Sequence, residues 1–492
     1  MLFRNKQQHR AIFSNQKKRG GKGKWLWLLL LLLLPVCIAI YHVNKSLPSG
    51  VDFSGPQRTA SDVQFLADRT YTVDGDRQTQ QQIFDAIFDM IANARQLVLI
   101  DMFLFNDYQG EGSEQHRALS NELTAALIAQ KQRYPDLEIQ LISDPINSVY
   151  GGLPSKYFAE LEAAGIPVTL TNLTKLRDSN PAYSGFWRLF IQPFGNGEGG
   201  WLPNPFGEGE VSVRSYLSLL NFKANHRKLV IADNGEDLTA LVTSANPHDG
   251  SSAHDNVALR FNGQAAWDLL DSEKAVLAMS GKALPKVELK QPSDNTETNL
   301  TVQVVTERAV EQAALAMINE AKPDDKLDMA MFYLSDREII DALKSAQRRG
   351  VTLRVLLDPN KDAFGREKNG IPNRPVAHEL SQAGITVRWC DTHGEQCHAK
   401  WLMHRGADET TMLLGSTNFT RRNLHNLNLE TSVVLTGPTN AAPFRRGRSW
   451  FDESWHNLYG RDYSVEYETY ADERRWPQLL YRTMEATGLS TF

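Results

Sequence analysis

An α/β fold built from two similar lobes, preceded by an apolar helix, is predicted by three features of the sequence. Strand-like and helix-like segments alternate through the body, a pattern that implies a parallel or mixed sheet. The second half repeats the first at low similarity. A run of apolar residues follows a basic N-terminus. With 492 residues the chain is long enough for two packed domains. Its composition, 41% hydrophobic and 23% charged, is that of a folded protein rather than a disordered one.

Segment 1–24 carries eight Lys or Arg residues and no Asp or Glu. WLWLLLLLLLPVCIAIY follows at 25–41, and 25–43 is about the length that crosses a hydrocarbon core of roughly 30 Å. Trp25, Trp27 and Tyr41 stand where interfacial aromatics belong. A cleaved signal peptide fits less well, because the n-region and apolar run are long and no small-residue cleavage site follows. The expectation is a basic cytoplasmic tail (1–24), a signal anchor (25–43) and an exoplasmic body. The formal charge is −5, and without the tail's eight cations the remainder carries −13. Such a body is a poor general partner for nucleic acid, although a local basic groove stays possible.

The first lobe is expected over 60–285 and the second, with a C-terminal extension, over 298–492. A Pro/Ser/Asn/Thr-rich linker at about 284–300 joins them. LEIQLISDP (137–145) and VTLRVLLDP (351–359) read as strands ending in Asp-Pro. YFAELEAAGIPVTL (157–170) and VAHELSQAGITVRW (376–389) read as a helix, an Ala-Gly stop and a strand. LVLIDMFLFND (97–107) resembles LDMAMFYLSD (327–336), and each follows a helical segment, 79–94 and 308–321.

NHRKLVIADN (225–234) matches CHAKWLMHRG (397–406). On a strand, His226 and Lys228 share one face and Arg227 takes the other. His398 and Lys400 repeat the pair, and Ser244-x-Asn246 and Ser416-x-Asn418 follow at equal distances. One His-x-Lys can arise by chance; two, each followed by an equally spaced Ser-x-Asn, rarely do. Lys228 and Lys400 can neutralise an anionic phosphodiester. The Ser and Asn side chains can bind substrate oxygens as hydrogen-bond donors, stabilising transition-state charge. One imidazole can act as nucleophile and the other as acid, then base.

The halves differ between Ala-Gly and His-x-Lys, which 13 residues separate in the second half and 60 in the first. The insertion, 171–222, is rich in Gly, Pro, Phe and Trp and reads either as a surface excursion or as an apolar lip beside the site. Cys390 and Cys397 could pair in an oxidising space or stay as thiols. With His393 and His398 they match no common zinc spacing.

Two His-x-Lys and Ser-x-Asn motifs in a two-lobed α/β chain resemble the phospholipase D superfamily, over about 60–460. That resemblance implies that the motifs meet between the lobes, with one His attacking phosphorus and the other protonating the leaving oxygen, without metal or cofactor. The apolar anchor, the acidic body and the aromatic insertion then favour a phospholipid substrate at a membrane, with water or an alcohol as acceptor, as in cardiolipin synthases of the same superfamily. A nuclease acting on single-stranded nucleic acid and a degenerate, non-catalytic binding protein are the alternatives. Supporting roles are expected for Glu430, Asp233 and Asp255. Glu430, 32 residues after His398, is expected to hold that ring and favour its imidazolium. His226, facing Ala258 at the matching position, is then the nucleophile, with Asp255 as its other possible orienter. Arg405 stands where the resemblance calls for a second Asp. His248, His254, His393 and His404, which do not repeat, are expected to be surface or supporting residues. General resemblance favours a bacterial inner-membrane protein facing the periplasm.

Overall fold

The computed structural model describes residues 21–110, 116–235, 237–287, 289, 298–363, 366–490 and 492, without the side chains of 21–32, 363 and 366. Two mixed sheets carry the fold. The first runs, edge to edge, Asp76–Gln80, Ser61–Val73, Asn256–Asn262, Leu238–Thr243, Lys228–Asp233, Leu97–Met102, Glu138–Ser143 and Val168–Leu170. Its last three strands are parallel and the rest antiparallel. The second repeats this order with Thr301–Thr306, Thr431–Pro438, Glu409–Gly415, Lys400–Arg405, Lys326–Met331, Thr352–Leu357 and Thr386–Cys390. Short strands Arg58–Thr59 and Ser464–Glu466 close its edges.

Alternation along the strands builds the layers. In Lys228–Asp233, Leu229 and Ile231 face the second sheet, while Val230 and Ala232 face the first lobe's helices. Trp401 and Met403 meet them from the second lobe, and Leu402 turns to that lobe's helices. Both strands are therefore apolar on two faces, as central strands covered on both sides must be. Each fully buried Leu or Ile contributes about 2 kcal/mol from burial. Helices Ile83–Asn93, Leu119–Arg133 and Lys156–Ala163 cover the first sheet; Arg308–Glu320, Arg337–Arg348 and Asn373–Gln382 cover the second. Helices Gln264–Met279 and Ala442–His456 pack against the layer between the sheets.

The repeated Ala-Gly has a backbone reason. Gly165 and Gly384 take φ of +78° and +80°. The next residue returns its N–H to the helix, Ile166 to Leu161 at 2.9 Å and Ile385 to Leu380 at 3.1 Å.

A helix spans Gly21–Asn44, enclosing the expected anchor at 25–43. The basic tail lies largely outside the described residues. Among the described residues no helix is long and apolar enough to cross a membrane. Residues 33–44 lie along helix Pro181–Phe190 of the insertion. A disulfide joins Cys390 to Cys397, so neither sulfur is a free thiol or a metal ligand.

Candidate active site

The two His-x-Lys segments meet where the sheets face each other, and the main chain clasps across the lobes twice. His226 N–H donates to Leu429 O (2.8 Å) and Leu429 N–H to Ala224 O (3.0 Å). In the second copy His398 N–H donates to Asp255 O (2.9 Å) and Asp255 N–H to Gln396 O (3.0 Å). The Asp of each Asp-Pro steadies the residue before the His. Asp144 Oδ2 accepts from Asn225 N–H at 2.7 Å, and Asp358 Oδ2 from Cys397 N–H at 2.8 Å.

These clasps decide which side chain backs each imidazole. His226 Nδ1 lies 2.9 Å from Glu430 Oε1, across the lobe boundary. Ser416 Oγ donates to Glu430 Oε2, and Asn423 to Oε1. His398 Nδ1 lies 3.0 Å from Asn256 Oδ1, to which Ser244 Oγ also donates at 2.9 Å. The Asn256 NH2 donates to His254 O at 3.1 Å, which fixes the amide so that its oxygen faces the ring. His398 thus donates from Nδ1 to Asn256, and His226 Nδ1 shares a hydrogen bond with the Glu430 carboxyl group.

The structure corrects four expectations. Glu430 holds His226 and not His398, because each supporting side chain reaches across to the opposite lobe's histidine. The first-half counterpart of Glu430 is Asn256 and not Ala258. Asn256 follows Ser244 by 12 residues, whereas Glu430 follows Ser416 by 14, so matching equal distances from the His missed it by two. Asp255 does not orient His226; its carboxylate accepts from Thr70 N–H (2.6 Å), and its backbone holds His398. Ser244 and Ser416 do not line the cleft; their hydroxyls are buried against Asn256 and Glu430. Asp233 sits at the far end of its strand, accepting from the N–H groups of Arg95, Gln96 and Leu97, a turn-holding role. At the corresponding place Arg405 pairs with Asp328 at 2.6 Å.

His226, His398, Asn246 and Asn418 line one cleft of about 400 Å³. Lys228 and Lys400 are buried beside them, each donating to the carbonyl of its own motif's His at 2.7 Å. Each also lies over a ring, Phe103 at 5.0 Å and Phe332 at 4.9 Å, and those rings flank His226 and His398 at 4.9 Å. Lys368 and Arg422 bring further positive charge to the cleft, and Phe206, Leu219 and Phe222 supply an apolar lip. No repeated motif marks Lys368 or Arg422. The duplicated Asp-Pro, read from the sequence only as the end of a strand, was the available signal for Asp144 and Asp358. His254 is buried 5.8 Å from the His398 ring, while His393 is exposed.

Charge is crowded here. Burial, then Lys228 and Lys400, push the His226 imidazole well below 6.5. Burial, then Lys400, does the same to His398. Burial pushes Glu430 up to about 8 and Lys228 down to about 7, and burial with Lys228 nearby pushes Lys400 well down. Burial thus weighs against charge on each of these groups, and an anion beside the lysines would weigh in favour of their ammonium forms. Outside the cleft, Glu311, Asp336 and His425 offer ligand atoms within 4.8 Å of one another. His425 already bonds Asp336 at 3.0 Å and lies 3.2 Å from Glu311.

Residues 314–455 match the model of the cardiolipin synthase, phospholipase D-like domain. The fold is similar to that of phosphatidylserine synthase from Haemophilus influenzae Rd KW20, at 10% identity and a TM-score of 0.53, covering 92% of this chain and 96% of that one. Polyphosphate kinase from Porphyromonas gingivalis is similar over 87% of this chain and 53% of its own, at 12% identity and a TM-score of 0.44. Nuc, a phospholipase D family member from Salmonella typhimurium, is similar over 34% of this chain and 99% of its own, at 21% identity and a TM-score of 0.27. No curated protein sequence matches significantly. Residues 314–455 of the second lobe thus carry a phospholipase D-like domain, and the first lobe repeats its strand order.

Proposed function

We propose that this chain is a membrane-anchored phosphodiesterase or phosphatidyltransferase that cleaves phospholipid phosphodiesters through a phosphohistidine on His226. The reading rests on one observation above others: two imidazoles, each fixed at Nδ1 by the opposite lobe, border one cleft with two lysines beside them. Nε2 of His226 attacks phosphorus, an N–P bond forms, and the bond to the headgroup oxygen breaks. Nε2–H of His398 passes its proton to that oxygen. Water or an alcohol then returns a proton to His398, forms the new O–P bond and releases His226. Lys228, Lys400, Asn246 and Asn418 take up the charge on the phosphoryl oxygens.

The roles follow from the backing groups, and the reason differs from the one the sequence suggested. Attack through Nε2 makes the ring of His226 cationic, and the Glu430 carboxylate at Nδ1 stabilises that cation. His398 is backed by a neutral amide, so its imidazolium, once an anionic substrate has drawn in a proton, gives that proton up more readily.

The apolar lip and the apolar N-terminal helix seated on the same insertion favour a lipid substrate, and the acidic body argues against nucleic acid. The helix and its basic tail support an inner, cytoplasmic N-terminus and an exoplasmic body, periplasmic in a bacterium, with which the disulfide agrees. The test offers the protein phospholipid vesicles with and without glycerol, and separately a single-stranded oligonucleotide. Headgroup release or a new phosphatidyl ester is expected. Shortening of the oligonucleotide alone would turn the reading to a nuclease, and inertness toward both to a binding protein.

A further inference from the structure

Helix Pro181–Phe190 of the insertion has two unlike sides. Ser184, Gly185 and Trp187 are buried. Gly185 meets the Pro35 carbonyl so closely that any Cβ there would collide with it, and Asp178 N–H donates to His42 O at 3.1 Å. The N-terminal helix is thereby seated on the insertion. The other side carries Phe186 and Phe190, 50% and 49% exposed, with rings 5.2 Å apart. Phe194 and Trp201 continue the chain beyond it at 69% and 73%. Four large aromatics this exposed within sixteen residues, two of them in ring contact, make an apolar surface that water alone does not explain.

Two observations identify its occupant. Leu33, Leu34, Val36 and Ile40 on the seated helix are exposed as well, so the aromatics adjoin the apolar run that begins at Trp25. Exposed Arg214 donates to Phe194 O at 3.1 Å, placing a cation beside the aromatics, as at a lipid headgroup layer. We infer that this face of the insertion dips into the surface of the bilayer beside the N-terminal helix. It holds the cleft, whose lip comes from the same insertion, at the height from which a phospholipid headgroup enters. The inference rests on the lipid reading above and adds the surface that delivers the substrate.

The full chain in phospholipid nanodiscs tests it, with benzoylphenylalanine replacing Phe190, Phe194 or, as control, exposed Tyr459 of the second lobe. After illumination, lipid adducts are expected at 190 and 194 and not at 459. A Phe186→Ser/Phe190→Ser/Phe194→Ser variant should turn over bilayer phospholipid about tenfold more slowly yet match the parent on a short-chain, monomeric phospholipid. Adducts no more frequent at 190 and 194 than at 459, or an equal loss on both substrates, would overturn the inference. If the parent leaves the short-chain ester intact, the lipid-substrate reading fails, and the adducts alone judge the surface.

Discussion

Glu430, from the second half of the chain, holds the imidazole of His226, from the first, with 2.9 Å between Oε1 and Nδ1. The contact makes neither half sufficient alone, since each lobe's histidine is oriented by the other lobe. Glu430→Gln keeps the acceptor oxygen and removes the charge. The phosphoenzyme should then form about 10²-fold more slowly or worse, by analogy with orienting carboxylates elsewhere. Rapid-quench kinetics with an unchanged unfolding midpoint would show it.

Asn256 gives the opposite experiment. Asn256→Asp sets a carboxylate beside His398 and should raise the pKa of that imidazole by about 1 unit or more. The limb of the pH–rate profile that reports loss of the acid's proton should move to higher pH, and an unmoved limb would argue against His398 as the acid.

Lys228 is held down to about 7 by burial, and burial, with Lys228 nearby, also pulls Lys400 well below its ordinary value. An anion in the cleft raises both, so between the free and bound values binding takes up protons. Affinity for vanadate or tungstate should therefore fall as pH rises above about 7. Titration calorimetry in buffers of differing ionisation enthalpy should report the uptake, and Lys400→Met should diminish it.

Arg227 shows how the site is braced. Its guanidinium is fully buried, bonding Glu273 at 2.7 Å and Glu307 at 2.8 Å, and Glu307 Oε1 also accepts the Glu430 N–H at 3.0 Å. Arg227→Met leaves two buried carboxylates without that partner and should cost about 3–5 kcal/mol in denaturant unfolding.

Much of this was legible in the sequence, and the limits have physical causes. The fold showed through because strand and helix periodicities recur twice, and the motif positions because His-x-Lys and Ser-x-Asn keep their spacing. The partner of each ring did not show, because it depends on the clasp between lobes, which a one-dimensional repeat does not carry. Loops of unequal length hid Asn256 behind Ala258. Arg227 was foreseen only as facing away from His226; that this face is the buried boundary between sheets is a matter of packing.

Trapping the intermediate shows which histidine carries the phosphoryl group. Substrate is mixed with the full-length protein, quenched in milliseconds without acid, digested and mapped by mass spectrometry. One modified residue is expected, His226, with label lost in His226→Ala and accumulating in His398→Ala when the leaving group needs no proton. Label on His398 that survives His226→Ala would reverse the two roles.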